Sequence, residues 1–163
     1  MDSSDAWRII TLFILLVLSA FFSSAETCLT TVNKMRMKSM ADEKVKNARI
    51  VLKLIENQTK MLSAILIGNN IVNLTASSLT TSFAIQIAQK SGFSEMTSII
   101  TGAATGILTV LILIFGEIVP KTLATMSAEK LALTYAKPVC GYYGISSGCF
   151  FDESDFKRII NYS

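Results

Sequence analysis

Polar and apolar positions alternate along this 163-residue chain in long blocks rather than short periods. Three windows carry no charged side chain: Ile9 to Ala25, Met61 to Gln89 and Met96 to Gly116. A helix crosses a hydrocarbon core with about 20 apolar residues, so each window predicts a transmembrane helix. The segment between the first two windows reads differently. Ala48, Val51, Leu52 and Ile55 recur there at helical spacing, with Lys46, Arg49 and Lys53 between them, which predicts an amphipathic helix. Its apolar face either lies on the membrane surface or packs on the protein itself. The expected fold is an all-α membrane protein with three transmembrane helices, juxtamembrane amphipathic helices and the N-terminus outside. Residues 1–138 form the membrane domain. Residues 139–163, glycine-rich and then polar, are expected to be an irregular tail.

Composition agrees with one small membrane domain. Hydrophobic residues make up 51% of the chain and charged ones 17%, with a mean hydropathy of +0.50. The first window lacks the basic start and small-residue cleavage site of a secretory leader: Asp2 and Asp5 precede a single Arg8. It is therefore read as a retained span. Lys34, Arg36, Lys38, Lys44, Lys46, Arg49, Lys53 and Lys60 outnumber Asp42, Glu43 and Glu56 between the first and second windows. The positive-inside rule then puts 34–60 and the chain after Lys121 in the cytoplasm, and the N-terminus and the 90–95 link outside. A multi-pass plasma-membrane protein is expected. The net charge of +3 is a topology signal that also suits anionic lipid, and it implies no nucleic acid. The Asn-x-Ser/Thr triplets at Asn57, Asn73 and Asn161 fall inside or in the membrane, where glycosylation is not expected.

Chemistry concentrates at the polar positions of the spans. Glu117 follows the third window within Gly116-Glu117-Ile118-Val119-Pro120-Lys121. A carboxylate at the end of a span is costly unless something binds it. Pro120 has no N–H and repels the carbonyl four residues back, that of Gly116, which leaves a bare oxygen beside the carboxylate. The opposing reading is that Glu117 reaches to the interface and pairs with Lys121. Ser19, Ser23 and Glu26 share one face of the first helix, and Asn69 and Asn73 one face of the second, preceded by Gly68 and continued by Ser77. Thr101, Thr105 and Thr109, with Gly102 and Gly106, suit helix packing. A converging set of hydroxyls, amides, a carbonyl and one carboxylate suits Mg2+, Ca2+ or Na+ rather than zinc or copper. The chain has no histidine, and Cys28, Cys140 and Cys149 form no CxxC pair. No catalytic residues are read, and an enzyme is not expected.

Leu18-Ser19-Ala20-Phe21-Phe22-Ser23-Ser24-Ala25-Glu26-Thr27, Ile67-Gly68-Asn69-Asn70-Ile71-Val72-Asn73 and Phe115-Gly116-Glu117-Ile118-Val119-Pro120-Lys121-Thr122-Leu123-Ala124 together resemble the transmembrane domain of the CNNM/CorC family. The resemblance runs from about Leu12 to Pro138. It implies a homodimer that handles Mg2+, as an exporter thought to be driven by Na+. It also implies Mg2+ ligands at Ser19, Ser23, Asn73 and Glu117, with the Gly116 carbonyl and Asn69 as further members. Glu26 matches a family position and is read as structural or gating. Family members usually continue into nucleotide-binding CBS domains, and none is expected within these residues. A dimeric scaffold or Mg2+ sensor that moves no ion is the alternative function.

Overall fold

A computed structural model of the chain describes residues 3–90 and 97–148, and these residues are helical nearly throughout. In chain order the helices are α1 (Ser3–Thr31), α2 (Lys34–Asp42), α3 (Ala48–Glu56), α4 (Gln58–Lys90), α5 (Thr97–Leu111), a π-helical segment (Ile112–Ile118), α6 (Val119–Met126) and α7 (Ala128–Gly148). Three stretches are long and apolar enough to cross a membrane: Ala6–Thr31, Gln58–Lys90 and Thr97–Met126. The three spans read from the uncharged windows are therefore present. The chain divides into two compact units, Met1–Ser23 with Asn69–Pro120, and Ser24–Gly68 with Lys121–Ser163.

In the first unit the exposed apolar side chains of α1 include Trp7, Ile9, Ile10, Phe13, Ile14, Val17 and Leu18, while Ser19 and Phe22 are buried. Large apolar side chains left uncovered in water would be a liability; facing hydrocarbon they are the expected solvent contact. The third span shows this most strongly, since only 6% of its apolar window is buried and α5 contains no buried residue. Gly102 and Gly106 lie on open ground, with nothing within 4 Å of where a Cβ would stand. The expectation that this small-residue pair packs against a neighbouring helix is not met within the chain.

In the second unit α3 packs against α2 and α7. Its buried positions are Ala48, Val51 and Leu54, with Leu52 and Ile55 half-buried. The apolar face is thus spent on the protein, which resolves the two readings of this helix. Burial pushes the Cys140 thiol of α7 above its ordinary range, with the Lys53 ammonium of α3 opposing the shift. Asn33 caps α2 by accepting from the Met35 and Arg36 N–H groups. Asn47 enters α3 with a left-handed backbone at φ 69°, and its Nδ2 donates to the Leu133 carbonyl of α7 at 2.8 Å.

The irregular tail expected from Val139 is corrected over Val139–Gly148, which continue α7 with Pro138 inside the helix. Pro138 is exposed, and so is Thr134, whose carbonyl loses its helical donor. Solvent or headgroups can take that carbonyl, so the proline is tolerated. Ala132, Ala136, Val139 and Cys140 are buried on the other face, and their packing overrides the weak helix preference of the glycines. Residues 149–163 lie outside the described residues.

Asn47 generates a prediction. Asn47→Gly keeps the left-handed turn and loses one hydrogen bond, a cost of about 1 kcal/mol. Asn47→Ala adds the left-handed penalty of roughly 1–2 kcal/mol. Thermal unfolding in detergent should therefore rank wild type above Gly above Ala.

Candidate functional site

The polar faces of α1 and α4 meet within the first unit. Ser19 is 1% exposed, and its Oγ lies 3.0 Å from Asn73 Oδ1 and 3.3 Å from Asn69 Oδ1. Asn69 and Asn73 are four residues apart on α4, one helical turn, so both amides reach the same hydroxyl. A serine hydroxyl has one hydrogen and can donate to one of these oxygens at a time. The other contact sets oxygen against oxygen, an arrangement that a cation stabilises and a neutral network does not. Turning one amide so that its NH2 donates to Ser19 gives the cation-free alternative with the same heavy atoms.

The third span enters through Gly116. A Cβ placed there would stand 2.9 Å from Ser19 Oγ, closer than real Cβ atoms sit, and a tight 3.3 Å from Ser19 Cβ. Glycine is needed for this approach of backbone to hydroxyl. Gly116 lies in the π segment, where the Val119 N–H reaches the Ile114 carbonyl, five residues back. Single π turns inside α-helices are rare and recur at functional sites. In the α register the donor missing at Pro120 would serve Gly116, and in the π register it would serve Phe115. One missing N–H leaves one carbonyl without its helical donor, and the register decides which of the two it is. The sequence reading located the first of these and missed the register shift; no residue pattern encodes it directly.

The remaining predicted members are placed less closely. Ser23 follows Ser19 by one turn on α1 and is 0% exposed. Glu117 is half-buried beside Gly116, and among the described residues no hydrogen bond or ion pair holds it. Its expected competitor partner is engaged elsewhere: Lys121 Nζ lies 3.4 Å from Glu26 Oε2, in a partly exposed pair worth little to stability. The structure therefore brings together Ser19, Asn69, Asn73 and Gly116, keeps Ser23 on the same face, and leaves Glu117 beside the cluster without a hydrogen bond to it. Among the described residues no three His, Cys, Asp or Glu side chains gather in a metal-binding group. Hydroxyl, amide and carbonyl oxygens are the donors on hand, a set that suits hard cations.

Gly116→Ala should force Ser19 out of its rotamer and away from the two asparagines. The expected cost is about one hydrogen bond, roughly 1 kcal/mol. It should appear as a lowered unfolding temperature in detergent, whereas the same substitution at Gly141 of α7, where nothing lies within 4 Å of a Cβ, should leave that temperature unchanged or raised.

Comparison with known proteins places this geometry in a family. The model of the Cyclin M transmembrane N-terminal domain matches residues 9–148, ten residues beyond the Pro138 limit of the resemblance read from the sequence. A UPF0053 protein of Haemophilus influenzae is 42% identical over 123 residues, covering 76% of this chain and 27% of its own length. The UPF0053 inner membrane protein YfjD of Escherichia coli is 39% identical, covering 71% of this chain and 25% of its own. A DUF21 domain-containing chloroplastic protein of Arabidopsis thaliana is 38% identical over 78% of this chain and 18% of its own. The chain thus spans about a quarter or less of the length of these relatives. Three apolar spans, the Ser19–Asn73 cluster and a match over most of its length make this chain a member of the CNNM transmembrane-domain family.

Proposed function

We propose that this domain binds Mg2+ between its helices and moves it across the plasma membrane, as an efflux path coupled to Na+. The observation that carries the reading is the pair of amide oxygens converging on the Ser19 hydroxyl beside the broken turn of the third span. Mg2+ holds its water tightly and takes six oxygens at about 2.0–2.1 Å. Stripping that water needs several aimed oxygens, which Ser19, Ser23, Asn69, Asn73 and the Gly116 carbonyl supply. Glu117 adds one negative charge. A site with a single carboxylate stays positive by one when filled, so the ion can leave; three carboxylates would trap it. The break at Gly116 to Pro120 gives the third span a place to bend, as discontinuous helices do in other transporters.

The Na+ coupling, the direction and the homodimer rest on the family resemblance, and the outside N-terminus on the basic residues of 34–60. A second copy would cover the bare face of α5, where small residues allow close helix approach.

Two measurements test this. Mg2+ titration of the purified chain in detergent should give saturable binding that weakens at least tenfold, about 1.4 kcal/mol, in Glu117→Gln and in Asn73→Ala. Wild-type binding that both variants keep would sink the intramembrane site, and binding without flux in liposomes would favour the sensor. Separately, Gly102→Leu with Gly106→Leu should shift the detergent-solubilised protein from dimer to monomer in sedimentation.

A further inference from the structure

The face of α1 that carries Ser19 continues toward the N-terminus as Leu15, Leu12 and Arg8, at steps of four, three and four residues. Eleven residues are close to three full turns, so Arg8 stands over Ser19 about 16 Å along the axis. Leu12, Leu15 and Arg8 are half-buried, while the intervening apolar residues Ile9, Ile10, Phe13 and Ile14 are exposed. Arginine near the end of a span ordinarily stretches to the headgroups. Arg8 instead turns to α4: its Nη1 donates to Gln86 Oε1, and its guanidinium sits 5.9 Å from the centre of the Phe83 ring.

An independent observation lies between the two ends. Thr80 follows Asn73 by seven residues on α4, two turns along the same face and about 10 Å away. Other hydroxyls of the spans bond the carbonyl four residues back, as Thr11, Thr75, Ser82 and Thr109 do. Thr80 does not. It is 8% exposed, and its Oγ1 is buried with no hydrogen-bond partner among the described residues. On α5, Thr101 Oγ1 is buried in the same way. A buried hydroxyl without a partner is costly and points to water or an ion in use at that place.

We infer that these residues form one limb of the ion path, running from the Ser19–Asn73 cluster past the Thr80 hydroxyl to the residue-8 face of the membrane, and that Arg8 is the gate that closes it. The inference deepens the proposed transport function and rests on it. A guanidinium held across the mouth repels a divalent cation and fills the space between α1 and α4. Leu12 and Leu15 exclude water below it. Opening this limb requires Arg8 to release Gln86 and Phe83, and Thr80 then offers a hydroxyl stop midway. The arrangement assigns Arg8 a gating role that no ligand of the cluster shares.

Cysteine accessibility tests this without using Mg2+. Leu15→Cys is placed in a chain whose Cys28, Cys140 and Cys149 are replaced by serine, in vesicles with the residue-8 face outward. A membrane-impermeant cationic thiosulfonate is added outside. With Arg8 present, labelling of position 15 should be slow. In Arg8→Ala it should be at least tenfold faster, and Gln86→Leu, which leaves Arg8 in place but unheld, should also accelerate it. Equal rates in all three would overturn the gate, as would protection that persists in both variants. Mg2+ binding by Arg8→Ala should match the parent; its loss would make Arg8 a support of the cluster rather than a gate, and overturn the inference. Faster labelling in a protein that binds no Mg2+ would uphold the gate while removing the Mg2+ reading.

Discussion

The absent side chain of Gly116 is the constraint on which the centre of this fold depends. A Cβ there would meet Ser19 Oγ at 2.9 Å, so only glycine lets the third span come this close to α1. Ser19 in turn holds the two asparagines of α4, so it is touched from both other spans. Pro120 acts on the same place from below. By withholding an N–H it removes the donor that would close the helix over Phe115 or Gly116, and the π turn of Ile112–Ile118 is the backbone's accommodation. Close approach and broken register are therefore one feature, written by a glycine and a proline four residues apart.

That feature explains why the cluster is built from neutral groups. Buried hydroxyls and amides are acceptable in a low-dielectric interior once paired, and here they pair with one another across helices. A buried carboxylate cage would need its counterion to exist at all. The cluster can hold its shape with or without a cation by turning an amide, so its stability does not demand occupancy. Glu117 supplies charge from the adjoining residue, outside the hydrogen-bonded set. Under the proposed function, keeping shape and charge on different residues would let the site take up an ion and let it go.

Much of this was legible in the sequence because it depends on spacing alone. Uncharged windows of span length gave three transmembrane helices, and intervals of four residues put Ser19 with Ser23 and Asn69 with Asn73. What escaped depends on competition between backbone and packing. The π register follows from how the turn before Pro120 settles, and two registers fit the same residues. The helix past Pro138 is held by Ala132, Ala136, Val139 and Cys140 on a buried face, against a glycine-rich composition that argues for a loop. Thr80 was within reach, since it stands two turns beyond Asn73, but its spacing means little until its hydroxyl is seen to decline the usual back-bond.

The distribution of helix breaks bears on where motion can occur. Among the described residues α1 and α4 run unbroken as α-helix over Ser3–Thr31 and Gln58–Lys90, whereas the third span is interrupted at Ile112–Ile118. An intact ladder resists bending because every bond along it must strain together. A π turn already holds one residue more than an α turn, and moving it by a position rotates the residues it passes by a fraction of a turn without shifting the helix beyond. Glu117 lies inside that turn and Gly116 at its contact with Ser19, so a register change there would swing the carboxylate relative to the cluster while α1 and α4 hold their hydrogen bonds. The two continuous helices then serve as the frame, and the third span, least buried and already broken, is the element free to change.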